Sequence, residues 1–294
     1  MVYPMPPKDN TQPTPDYFAE VDGEQSSVLL RLLMFYKLSA KVTMRTVEKG
    51  EWDVWHVWSD GRDLGGLEAS QESGVLSEDP RGVGLGWRWL GMNGRLPSNV
   101  DVEEVAEESY RLRRYLHGVA EGQLEMPREQ ALPMEYNMDL MNGIDFQKGC
   151  YVGQELQART KYLGVVQKRV LPCVIYPVGA PVPETLEYEA DSTVADTIER
   201  GTAIQLSMTD SPAGGKRDKR PGKWVAGIGN IGLAVCKMAV MTDVVPPAPP
   251  RMALPQPTRH PDDEFQISLS EEKSVRIKAF VPRWLRRGLE TYHD

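Results

Sequence analysis

The chain has 294 residues, 40% of them hydrophobic and 26% charged, and its formal net charge is −8. That length admits two domains with ordinary cores, and the charge excludes general affinity for nucleic acid or anionic membrane, both of which need a basic surface. Three cysteines, odd in number and far apart, build no disulfide framework and no closed zinc site, and suit a reducing compartment; no apolar run is long enough for membrane insertion.

In chain order, Met1 to Pro7 has neither the apolar core of a signal peptide nor an Arg-rich transit pattern. Residues 4–15 read as an exposed loop. Tyr17 to Asp22 follows as a strand, with nothing before it to pair with. Ser26 or Ser27 is placed to cap a helix carrying Leu29, Leu30, Leu32, Leu33 and Phe35, with Lys37 near its end. Ala40–Val47 and Trp52–Trp58 are predicted strands joined at Lys49-Gly50. Trp52, Trp55 and Trp58 are best read as strand residues packing against the adjacent helix rather than as a binding platform. A loop is expected from Asp60 to Gly74, and another strand over Leu85–Leu90. Asp101–Gly118 reads as the strongest helix, acidic at its start and basic at its end. Arg111, Arg113 and Arg114 on it read as a solvated face with local salt bridges.

Glu135, Asn137 and Asp139 alternate, so in an extended conformation they share one face and could line a ligand cleft. The run Lys148-Gly149-Cys150-Tyr151-Val152-Gly153-Gln154-Glu155 then sets one thiol between two glycines, beside a lysine, before helix-forming residues that continue to Arg159. It reads as a tight loop delivering Cys150 to, or just before, a helix N-terminus, where the dipole and Lys148 favour a thiolate. A thiolate is a nucleophile or a soft metal ligand, and the residues leave that choice open.

After Arg159 the pattern changes. Lys168–Ile175 alternates and is β-branched, and Gly222–Met241 resumes that style, as expected of a small antiparallel barrel. Between them Glu187–Arg220 is polar and is predicted to be an inserted, mobile surface loop. Val244–Pro261 is proline-rich and reads as an extended linker, before a last strand near Val275–Phe280.

The run from Pro133 through Arg169 resembles the signature of the glycine-cleavage T-protein/YgfZ family of folate-binding, aminomethyltransferase-like proteins. The resemblance is carried by Glu135, Asn137, Asp139, Gly143, Ile144, Phe146, the whole Lys148–Glu155 run, Arg159, Gly164, Lys168 and Arg169. Further matches stand at Asp79-Pro80-Arg81, Leu85-Gly86, Arg113-Arg114, Gly118–Gly122 and Gly229–Ala234, so it covers roughly residues 17–284. The Lys-Gly-Cys-Tyr form is similar to the YgfZ branch, whose mitochondrial members help to assemble iron–sulfur clusters.

The resemblance implies an α+β fold. A T-protein-like folate-binding-type domain, incomplete at its N-terminus, would occupy residues 1–167, and a small β-barrel domain with an inserted loop at 187–220 would occupy 168–294. It implies late maturation of 4Fe–4S proteins in the mitochondrial matrix with an A-type scaffold partner. Cys150 would supply one thiolate to a transient iron–sulfur cluster, with the partner holding the rest. Lys148 would add positive field, Tyr151 would shield the site, Glu155 and Arg159 would brace the helix as an i, i+4 pair, and Gly149, Gly153 and Gln154 complete the motif. Cys173 and Cys236, in strand patterns, are expected to be buried. The competing class is a folate-dependent aminomethyl or one-carbon transferase using tetrahydrofolate; against it, His56, His117, His260 and His293 form no catalytic set. A third is an interaction module using the 187–220 insertion. Family members begin with several dozen residues before the counterpart of Val2, a part that includes the usual acidic folate contact and the targeting segment, and Gln167 stands where the family often has arginine.

Overall fold

The computed structural model describes residues 1–5, 16–59, 74–96, 103–207, 220–253, 259–260, 263–270 and 273–292. The loop expected over 60–73, most of that over 4–15, the start of the helix expected from Asp101, the run Ser211–Arg217 and part of the proline-rich segment lie outside these. The chain folds as two compact units, one of residues 1–79 and 83–105, the other of residues 80–82 and 106–294. Among the described residues no helix is long and apolar enough to cross a membrane.

In the first unit Val2–Pro4 (β1) pairs antiparallel with Tyr17–Ala19 (β2). The strand at Tyr17 therefore does have a partner, contrary to the sequence reading. The pairing buries Tyr3 completely, and its hydroxyl donates to Glu20. Ser26–Tyr36 forms α1, entered through a 3₁₀ turn at Gly23–Gln25; neither serine caps it by a side-chain hydrogen bond. Trp52–Val57 (β3), Gly74–Glu78 (β4) and Trp87–Met92 (β5) make a three-stranded antiparallel sheet in the order β3-β5-β4. Trp52 packs on Phe18 of β2 with ring centroids 4.6 Å apart and the planes tilted by 57°, so it has a packing role, but against a strand rather than the expected helix. Ala40–Val47 is not a strand. Its β-branched residues have the propensity, but among the described residues no strand pairs with it. Conversely β5 begins only at Trp87, because Gly84 and Gly86 take φ of 78° and 130° and break the pairing before it. A polar chain runs through the unit: Arg88 reaches Glu20 at 3.3 Å and Asp79 at 3.4 Å, and His56 Nε2 meets the Leu85 carbonyl at 2.9 Å.

In the second unit six strands close a barrel in the order β10-β11-β6-β9-β8-β7, every pair antiparallel. They are Lys168–Tyr176 (β6), Ala203–Leu206 (β7), Gly222–Ile228 (β8), Ile231–Lys237 (β9), Phe265–Ser268 (β10) and Ser274–Ala279 (β11). The period of two along β6 sends Leu171, Cys173 and Ile175 into one core with Trp224, Ile204 and Ile267. Val170 and Val174 join a second core with Tyr115 of the helix Glu107–His117 (α2). Glu107 and Glu108 open α2, Arg114 and His117 close it, and Gly118 caps it at φ 74°. Arg114 is buried against Glu125 in the short helix Gly122–Glu125 (α3), with two contacts of 2.8 and 3.0 Å, so its charge is answered internally.

The segment 187–220 is not an insertion throughout. Ala195–Thr197 forms a 3₁₀ turn tied to Gly229 through Asp196 at 3.0 Å, and β7 closes the barrel between β8 and β10. Its few apolar residues carry that role: Ala195 and Ile204 are buried among charged neighbours that mask them in the sequence. The described part of the proline-rich segment is no free linker either, since Pro246 and Pro249 are buried. Met238–Met241 (α5) and Arg283–Glu290 (α6) complete the unit, with Leu285 and Leu289 of α6 in the barrel core.

Candidate functional site

The segment at 133–142 does not extend. It winds into consecutive turns, with Asn137 and Asn142 in left-handed conformation at φ 61° and 57°, a geometry asparagine tolerates better than most side chains. The common face expected of Glu135, Asn137 and Asp139 is thereby lost. Asn137 and Asp139 instead surround the buried guanidinium of Arg169, the second residue of β6. Arg169 Nη1 donates to the Met134 carbonyl at 3.0 Å, to Asn137 Oδ1 at 3.1 Å and to Asp139 Oδ1 at 2.9 Å, while Nη2 reaches Asp139 Oδ2 at 2.8 Å. Asn137 Nδ2 donates in turn to the Val170 carbonyl at 2.8 Å. These contacts bolt the turns to the barrel.

Glu135 faces elsewhere. It lines a cleft of 280 Å³ with Leu132, Leu156, Thr160, Val165 and Lys168. Burial holds its carboxyl above the ordinary range, against the opposing pull of Lys168 and Lys223.

From Gly143 the chain runs through a loop to Gln154–Leu163 (α4). Asp145 Oδ1 accepts from the Gln147 amide at 2.8 Å, and Gly153 turns the chain into the helix at φ 84°, a conformation that calls for glycine. Gly149 has no such need: its φ is not positive, and an added Cβ would meet open space. The Tyr151 amide donates to Gln154 Oε1 at 3.4 Å and its hydroxyl to Gln157 Oε1 at 3.0 Å. Lys148 Nζ lies over the Tyr151 ring at 4.9 Å. Glu155 and Arg159, expected to brace α4, form no ion pair among the described residues; both are exposed on a helix that buries none of its own residues.

Cys150 is exposed in this loop, while Cys173 and Cys236 are completely buried in the barrel. Burial pushes the Cys173 thiol up, so it is held protonated and inert. Cys150 is thus the one thiol that another molecule can reach. Among the described residues no group of three or more His, Cys, Asp and Glu side chains is arranged to hold a metal ion. Of the histidines, His56 belongs to the first unit's polar chain and His117 Nδ1 meets the Arg113 carbonyl at 2.9 Å in the second.

Four residues of the site had no signal in the reading of the sequence as site residues. Gln157 links Tyr151 to the cleft wall. Lys161, Phe146 and Tyr292 meet at the base of the Cys150 loop: Lys161 Nζ lies 5.0 Å from the Phe146 ring centroid and 4.2 Å from that of Tyr292. Phe146 carried the family resemblance, but Tyr292 lies far along the chain, where only the folded structure brings it near.

The structure is thus that of an α+β protein with a closed six-stranded barrel and one solvent-facing thiol on a glycine-flanked loop. A scan against models of protein families finds no match. The chain is 42% identical over 300 residues to the mitochondrial iron–sulfur cluster assembly factor IBA57 homolog of Pyricularia oryzae, covering 98% of this chain and 72% of that protein. It is 38% identical to the homolog from Chaetomium globosum, over 96% of this chain and 68% of the relative. For the Neurospora crassa homolog the identity is 37%, over 97% and 69%. At these identities and coverages the chain belongs to the family of mitochondrial IBA57 iron–sulfur cluster assembly factors.

Proposed function

We propose that this chain acts in mitochondrial iron–sulfur cluster assembly by lending the Cys150 thiolate to a cluster held jointly with an A-type scaffold protein. Family membership supports the process. The observation that carries the proposed role is the contrast among the thiols: Cys150 is exposed and the other two are sealed in the barrel. Iron in such clusters is held by cysteine thiolates, typically four to a cluster. Among the described residues Cys150 belongs to no group of three or more side chains arranged to hold a metal ion, so the ligand set is to be completed by a partner. In the step itself Cys150 gives its proton to water, and the Sγ electron pair forms a bond to a cluster iron as a weakly held ligand leaves. Exposed Lys148, two residues before Cys150, favours approach of an anionic cluster. The cluster is cargo, passed on toward 4Fe–4S proteins of the mitochondrial matrix.

The division into a T-protein-like region over 1–167 and a barrel domain over 168–294 belongs to the same proposal. It is supported by all six barrel strands falling after residue 167. A second reading, tetrahydrofolate binding with aminomethyl transfer, is favoured by one observation, the partly buried carboxyl of Glu135 in an apolar cleft.

The readings separate by alkylation. In a cluster-bearing complex with an A-type protein, Cys150 should be protected from iodoacetamide and regain reactivity when the cluster is chelated away. Full reactivity of Cys150 throughout would contradict the ligand role. Saturable tetrahydrofolate binding abolished by Glu135→Ala would favour the transferase reading.

A further inference from the structure

The loop carrying Cys150 and the helix after it form an excursion from the barrel unit that has little packing of its own. No residue of α4 is buried, and Val152, Leu156 and Leu163 are more than half exposed. Both ends of the excursion nevertheless meet at one point. Phe146 enters it and Lys161 and Tyr162 leave it. The Phe146 ring stands 6.2 Å from that of Tyr162, edge to face, and 5.0 Å from Lys161 Nζ.

What closes this base is Tyr292, just beyond α6. Lys161 Nζ donates to its backbone carbonyl at 3.2 Å and lies over its ring at 4.2 Å. The Tyr292 hydroxyl donates to Asp139 Oδ2 at 2.6 Å, and its ring faces the Arg169 guanidinium at 5.5 Å. The ring is 6% exposed and shares a small core with Met134 and Val166. One side chain thus joins the far end of the excursion to the turns and to β6, whose own positions are fixed by the buried Arg169–Asp139 pair.

We propose that Tyr292 is a positioning residue, a latch that fixes the excursion carrying Cys150 so that its thiol is presented in one place. The purpose of the latch rests on the cluster-sharing role of Cys150: a ligand completed across two proteins must be held in register before the partner arrives, since ordering it on arrival subtracts from affinity. The placement itself rests only on the contacts around Tyr292.

The test attaches a nitroxide to Cys150, the accessible thiol, and records label mobility alongside amide exchange in the full chain. Tyr292→Ala should mobilise the label and cost about tenfold in amide protection over residues 154–163, with barrel protection unchanged. Tyr292→Phe, keeping the ring over Lys161 but losing the hydroxyl on Asp139, should fall between. Lys161→Met releases only the α4 side and should reproduce the mobilisation even if Tyr292→Ala does not fold. An immobile label and unchanged exchange in Lys161→Met would overturn the latch. Because neither readout uses a cluster, a latched loop that fails to capture one would instead count against the ligand role of Cys150.

Discussion

Arg169 is completely buried, and its charge is matched by Asp139, whose side chain is also shielded from solvent. A pair of this kind adds little over a well-packed apolar substitute, but removing one partner strands the other. Asp139→Ala should therefore lower the unfolding free energy by about 3–5 kcal/mol in urea titrations; a loss below about 1 kcal/mol would mean that water replaces the carboxylate. Glu135 behaves oppositely. Its carboxyl is held above 4.5 by burial, so ionising it disfavours the folded state. That penalty is absent below the unfolded value and complete once pH has risen through the folded one. Glu135→Gln should raise the melting temperature at neutral pH and leave it unchanged near pH ~4. The sequence put these residues together as a motif but aimed them all at a ligand. It could not show that Asn137 and Asp139 serve Arg169, because the alternation implied a strand and the left-handed asparagine broke it.

At the scale of elements, much of the barrel was legible: β6 stands where the alternation of Lys168–Ile175 put it, β8 and β9 fall within the Gly222–Met241 stretch read in the same style, and β11 overlaps the last strand expected near Val275–Phe280. The short strands were not. β7 and β10 have four residues each, too few for a period, and they form because β8 and β11 present open edges to them. The glycines between the apolar residues of β8 and β9 have a packing reason. A Cβ on Gly232 would lie 2.2 Å from the Trp224 ring and 2.4 Å from the Ala226 carbonyl. Gly232→Ala should cost about 1–3 kcal/mol by overpacking and shift the tryptophan emission. An unperturbed spectrum and stability would show that the indole has room to move. The loop delivering Cys150 to a helix was also legible, through Gly153 and the helix formers after it. Its anchorage at Tyr292 was not, since no local pattern encodes a contact across 131 positions of chain.

For the molecule as a whole, apolar burial is uneven. The barrel holds the larger core, whereas α1 and α4 bury no residue. Hydrogen exchange should follow this division, slowest in β6 and β9, faster in α4, which is held at its end by Tyr292, and fastest in α1; exchange in α4 as slow as in β6 would require packing that the chain alone does not supply. The same unevenness separates the three thiols, and on that separation the cluster role depends. Its most direct measurement is anaerobic mixing of the full chain with a cluster-loaded A-type protein, followed by size-exclusion chromatography at the cluster's visible absorption. Cys150→Ser should abolish the co-eluting absorption, while Cys173→Ser and Cys236→Ser, each folded, should retain it. A Cys150→Ser protein that still carries the cluster in the complex would contradict the assignment of that thiol as a ligand.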